Sequence, residues 1–122
     1  KLLNTALSMN SKAFESWGGL ASLCLIRANY FHSLGKPVGT EINKGIHAAD
    51  LALAEGWEDP DTLGVRGGLF LLLAQTSNGD AQIKAATKAE QSYTNAIKGK
   101  SSLQNVYKSD LEEARRMIKS PN

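Results

Sequence analysis

Apolar residues recur along this chain at steps of three and four. Phe14, Trp17, Leu20, Ala21, Cys24, Ala28 and Phe31 form one stripe, and Ile42, Ile46, Ala49 and Leu53 a second. Leu63, Gly67, Phe70, Leu71 and Ala74 form a third, Ala85, Ala89, Tyr93, Ala96 and Ile97 a fourth, and Leu103, Tyr107, Leu111, Ala114 and Ile118 a fifth. Such spacing gathers each set on one face of an α-helix. Strands are not predicted. No four residues alternate apolar and polar with β-branched enrichment, and valine occurs only at 38, 65 and 106. The pattern predicts an all-α chain of five helices plus the tail of one more at the N-terminus.

Local signals mark the helix ends. Asp59-Pro60-Asp61 sets a capping carboxylate before a proline at the first helical position, where its missing N–H costs nothing. Asn78-Gly79-Asp80 reads as a turn with Asp80 as the next N-cap, and Ser101 with Gln104 fits a capping box. Gly35-Lys36-Pro37-Val38-Gly39 separates the first long helix from the second, and Pro121 follows the last. Because every connection is short, successive helices are expected to pack antiparallel, as hairpins.

The helices also repeat. Trp17, Leu63 and Tyr107 open stripes of the same phase at intervals of 46 and 44 residues. Gly45, Ala49 and Ala52 return as Ala89, Tyr93 and Ala96, each 44 residues later. A period of that length with two helices per unit predicts stacked hairpins rather than a closed bundle. The units fall at about 13–56 and 60–98 within one domain spanning 1–122. The final helix, about 102–119, carries Lys108, Asp110, Glu112, Glu113, Arg115, Arg116 and Lys119, a polar face suited to a terminal cap.

Composition narrows the function classes. Hydrophobic residues at 42% supply a core, and 21% charged residues exclude a disordered charged tail. Fourteen Lys and Arg against twelve Asp and Glu leave a net charge of +2, and only Arg115-Arg116 are adjacent, so no phosphate-tracking stripe points to nucleic acid. A single cysteine makes neither an internal disulfide nor a cysteine-based zinc site. The longest wholly apolar run, Leu69 to Ala74, is far short of the roughly 20 residues that span a bilayer. No signal-peptide pattern follows Lys1, and the chain reads as a domain excised from a longer protein. Its compartment, cytoplasmic or periplasmic, then depends on that parent.

Two junctions carry a resemblance. Ala6-Leu7, then Ser11, Trp17, Leu20 and Ala21 are similar to the passage from one tetratricopeptide repeat to the next. Ser11 stands where proline is usual and Ala21 where glycine is usual. Ala52-Leu53, Asp59-Pro60, Leu63, Gly67 and Phe70 resemble the same junction. Gly45-Ala49-Ala52 and Ala89-Tyr93-Ala96 match the family's triplet in the second helix. Family repeats run to about 34 residues, and both units here carry roughly ten more. Ala96-Ile97, Leu103, Tyr107 and Leu111-Glu112-Glu113-Ala114-Arg115-Arg116 resemble the degenerate arrays that lie C-terminal to bacterial eukaryote-like serine/threonine kinase domains.

The resemblance implies a tetratricopeptide-like α-solenoid of five to six helices, a non-catalytic scaffold or sensor module that binds a protein or peptide. It implies a partner-binding inner face at Glu15, Gly18, Ser22, Leu25 and Ile26 in the first unit. In the second unit that face maps onto Asp61, Gly64, Gly68, Leu71 and Leu72; the alternative is that Leu25, Ile26, Leu71 and Leu72 are covered by neighbouring helices or by flanking repeats. Without the basic clamp that some members use for a carboxylate, the guest expected is a hydrophobic or mildly basic segment.

The remaining residues point to packing. Trp17, Phe70 and Tyr93 are expected in the core, while Trp57 and Tyr30 are either loop packing or aromatic anchors. Gly18, Gly19, Gly64, Gly67 and Gly68 each cost a helix about 0.8–1 kcal/mol relative to alanine, so another backbone is expected close by. Gly64-Val65-Arg66-Gly67-Gly68 lacks both the setting and the Gly-Lys-Ser ending of a phosphate loop. His47 finds only a carboxylate, Asp50 or Asp80, as co-ligand, His32 sits near a helix end, and Cys24 sits in the buried phase. No nucleophile elbow and no isolated carboxylate pair is present. The reading is a chain with no catalytic residue, metal or cofactor. Two other readings stand beside peptide binding: a self-assembling spacer stacked on flanking repeats or on a copy of itself, and a small-ligand sensor near Tyr30, Arg66 and Trp57.

Overall fold

The computed structural model describes residues 2–54 and 58–122, with side chains at 13 and from 15 onward within those ranges. Five α-helices follow one another: α1 Leu2–Ser33, α2 Gly39–Ala52, α3 Pro60–Gln75, α4 Gly79–Gly99 and α5 Leu103–Lys119. The all-α expectation holds for the described residues. The separate N-terminal tail does not. Residues 8–11 lie inside α1 because nothing there stops a helix: neither proline nor glycine occurs before Gly18, and Ser11 leaves in place the N–H that a proline would remove.

Helix ends follow local chemistry, with two corrections. Asp59 caps α3, accepting from the Thr62 backbone N–H at 3.1 Å and from its hydroxyl at 2.7 Å, with Pro60 at the first position. Gly35, at φ 71°, turns the chain out of α1 in the left-handed region that glycine enters freely. At α4 the cap is Asn78 rather than Asp80, because Gly79, at φ 57°, already opens the helix. The Ser101 capping box does not form; α5 starts at Leu103, one residue beyond Ser102, and the Gln104 N–H donates to the Ser101 carbonyl instead.

Successive helices run antiparallel. Ala21 meets Ala48 and Ala49 while Ala28 meets Val38 and Ile42, which pairs α1 with α2. Pro60 abuts Gly99, Gly67 faces Tyr93, and the Gln82 side-chain amide donates to the Ala74 carbonyl at 3.0 Å, which pairs α3 with α4. The first helices of each pair lie side by side and parallel: Gly18 meets Thr62, Leu25 covers Gly68, and Gly64 lies under Tyr107 of α5.

α1 and α3 use matching faces, offset by the 46 residues that separate Trp17 from Leu63. Ala21, Cys24 and Ala28 are buried against α2, and Gly67, Phe70 and Ala74 against α4. Gly18 and Leu25 turn toward α3, and Gly64 and Leu71 toward α5. A third face of α3, Leu69 and Leu72, is buried against Gly45, Ile42 and Val38 of α2. Apolar burial of this kind supplies most of the driving force for folding.

Among the aromatic residues expected inside, Phe70 and Tyr93 are buried but Trp17 is exposed. Nor does another backbone fill the space over the helical glycines. A Cβ at Gly64 or Gly67 would meet the ring of Tyr107 or Tyr93, one at Gly68 would meet the Leu25 side chain, and Gly19 faces open space. Trp57 and the side chains of Ala6, Leu7, Ser11 and Phe14 lie outside the described residues.

Candidate functional site

Parallel packing of α1 on α3 leaves a cleft of about 330 Å³. Small residues make it: Gly18, Gly19 and Ser22 on α1 face Thr62 and Val65 on α3. Large side chains at these positions would close the gap between the helices. Three carboxylates border it, Glu15 from α1 and Asp59 and Asp61 from the start of α3, and no Lys, Arg or His is among the lining residues.

The carboxylates differ in what they already do. Asp59 is engaged by Thr62 as the α3 cap. Asp61 lies in the first turn of α3, where negative charge opposes the positive pole of the helix, and it stays largely exposed with Lys100 Nζ at 3.6 Å. Glu15 is exposed on the opposite wall. The cleft thus presents hydrogen-bond acceptors and negative charge across a narrow, small-residue floor. It suits an N–H-rich or cationic group held between two helices.

Of the residues expected to bind a partner, the structure brings Glu15, Ser22 and Asp61 together in this cleft, beside Gly18. Leu25 lies farther along α1, packed over Gly68. Ile26 projects from a different face of α1 and is exposed. Leu71 and Leu72 are not available to a partner as read: their relative exposures are 7% and 3%. Leu71 packs in the cluster built by α3, α4 and α5, and Leu72 packs with Ala28, Val38 and Ile42. Both are core because α3 is covered on three sides.

Asp59 and Thr62, together with Gly19 and Val65, complete the cleft beyond the residues expected to bind a partner. The signal for the first two was present, since a capping residue and its partner sit at a helix start beside Asp61. Of the residues named for a small-ligand pocket, Trp57 lies outside the described residues, and Arg66 and Tyr30 are placed differently from each other. Arg66 donates from Nε to Asp50 at 2.9 Å and from a terminal nitrogen to Ser92 at 2.7 Å, bridging α2, α3 and α4. Tyr30 is exposed on α1.

Cys24 is buried between α1 and α2, and that burial pushes its thiol above the ordinary value, with Glu41 adding to the effect. Its thiolate is therefore disfavoured. His32 and His47 are exposed on different helices, and no three His, Cys, Asp or Glu residues among those described gather around a common point. No described helix is long and apolar enough to cross a membrane. No protein-family model, curated protein or solved structure matches the chain.

Proposed function

We propose that this chain is a non-catalytic protein-interaction module, a tetratricopeptide-like stack of helical hairpins whose α1–α3 cleft holds a short segment of a partner by a lysine or arginine. The cleft carries this reading: three carboxylates, and no cation among its lining residues, border a floor of glycine, serine and threonine between two parallel helices, with Lys100 reaching Asp61 only from outside. The 46-residue offset with which α1 and α3 use matching faces supports the repeat part of it. So does the change of character at α5. Its buried residues, Leu103, Ala114 and Met117, and the half-buried Tyr107 pack against α3 and α4, while Glu112, Arg115 and Lys119 turn to solvent as a closing helix would. The motif Leu111 to Arg116 extends the proposal to a parent, the region beside a bacterial serine/threonine kinase domain.

Titration of the folded chain with short peptides sorted by charge tests the proposal, followed by backbone amide shifts. Lysine- or arginine-bearing peptides are expected to move the amides of residues 15–22 and 59–65 saturably, with affinity falling as salt rises. Charge reversal at two exposed positions, Glu15→Lys and Asp61→Lys, is expected to abolish the shifts without lowering helicity. Binding indifferent to both reversals, or preference for acidic peptides, overturns it.

A further inference from the structure

Beyond the cleft, α1 carries a second unpartnered surface. Leu23, Ile26, Tyr30 and Leu34 lie along one side of the helix and its immediate C-terminal end, at 49%, 64%, 62% and 51% relative exposure. Steps of three, four and four residues keep them in line. The corresponding face of α3 shows what such a stripe does in this protein: 46 residues on, Leu69 and Leu72 stand where Leu23 and Ile26 do, and both are buried under the antiparallel helix α2. Among the described residues nothing covers that place on α1.

We propose that the α1 stripe is the interface of a symmetric homodimer, in which α1 of a second copy lies antiparallel across it as α2 lies across α3. Three observations select a second copy. First, among the described residues the stripe holds the large exposed apolar side chains apart from Trp17 on another face of α1 and the isolated Val106 of α5, so the helix face able to match it is its own duplicate. Second, the spacing is nearly palindromic. Antiparallel apposition sets Ile26 beside Tyr30 of the second copy and Leu23 beside Leu34, a self-complementary patch of the kind a two-fold axis requires.

Third, charge and area agree. Between Glu15 and Lys36 the one constantly charged residue is Arg27, whose guanidinium lies 3.6 Å from Glu41 of its own chain, so like charges need not meet across the axis. The four residues expose roughly 400 Å², mostly apolar, within the range of the largest patch on a monomer, which is often functional. Two such patches would bury roughly 800 Å² in all, the size of a weak, reversible interface.

Sedimentation equilibrium of the whole chain across roughly 1–300 µM, where an interface of this size dissociates, tests the proposal. The expected result is a monomer–dimer equilibrium whose dissociation constant rises roughly 30-fold or more in Ile26→Glu, the effect of removing a hot-spot residue. Leu23→Glu is expected to do the same, and Val106→Glu to leave the equilibrium unchanged. Circular dichroism of each variant establishes that the fold is intact. A wild-type chain that stays monomeric throughout, or a dimer that survives both α1 substitutions, overturns the proposal. Neither result bears on peptide binding in the α1–α3 cleft, because none of the substituted residues lines it.

Discussion

Gly67 of α3 lies flat against the ring of Tyr93 of α4: a Cβ added at Gly67 would stand 2.7 Å from both Cδ1 and Cε1. At the matching place in the first hairpin, Ala21 meets Ala49, both fully buried. The two hairpins thus fill the same space differently, one with two alanines and the other with a glycine and a tyrosine. The tyrosine gains a further neighbour, since its ring centroid lies 4.9 Å from that of Tyr107 on α5. The glycine makes room for the aromatic pair that ties the last three helices together.

That relationship sets the sign of a substitution. Alanine at 67 would gain about 1 kcal/mol of helix propensity, but overpacking a filled site costs about 1–3 kcal/mol. Gly67→Ala is therefore expected to lower stability, and Gly67→Ala with Tyr93→Ala to cost less than the two single changes added together. Gly19→Ala is the control. No described residue lies within 4 Å of its added Cβ, so the propensity gain should stand alone as a rise of about 0.5–1 kcal/mol. Urea unfolding of the four variants reads both signs, and a stabilised Gly67→Ala defeats the argument.

The helices and their antiparallel order were legible in the sequence because both depend on neighbours a few residues apart. The Asp59-Pro60 start is the plainest case. Half of the cleft was legible as well, since Glu15, Ser22 and Asp61 occupy helix positions that the resemblance marks. Leu71 and Leu72 were misplaced for a physical reason: α3 is apolar on almost every side, and a period of 3.6 does not say which side stays open when three neighbours cover it. Arg66 shows the other limit. Its partners Asp50 and Ser92 lie 16 and 26 residues away in the chain, so no local pattern announces them. Ile26 and Tyr30 were legible one by one as candidates for contact, but the line they form with Leu23 and Leu34 was not, because an apolar residue on a helix reads as core until the neighbouring helices are in place.

Arg66 leads to a second prediction, about which of its two bonds matters. Asp50 is more than half exposed, so its ion pair at 2.9 Å is worth about 0–1 kcal/mol. Ser92 is buried, and its 2.7 Å bond to the guanidinium is protected from water. The guanidinium also lies 4.7 Å from the centroid of Phe70. A lysine ammonium cannot reproduce this planar, forked arrangement. Arg66→Lys is expected to cost about 1–3 kcal/mol, close to the effect of losing a charge-assisted bond to a buried group. A double-mutant cycle in urea should couple Arg66 to Ser92 more strongly than to Asp50. Equal coupling to both would refute the assignment.

Tyr93 makes the fold sensitive to alkali. Burial raises its hydroxyl well above the ordinary 10.0, and the Asp110 carboxylate and Tyr107 push the same way. Tyr107 is raised too, by burial first and then by Asp61 and Asp110. A phenol whose folded value is raised keeps its proton in the native state after the unfolded chain has begun to lose it. The stabilisation is therefore complete below pH 10 and declines as pH climbs from there toward the folded value, at up to about 1.4 kcal/mol per pH unit for the buried Tyr93. Melting temperatures of the native chain should be level in this respect up to about pH 10 and then fall. Tyr93→Phe keeps the ring against Gly67 and removes the titrating hydroxyl, so its melting temperature should fall less steeply over the same interval. Parallel alkaline losses in both proteins would show that the hydroxyl beside Asp110 is not the group responsible.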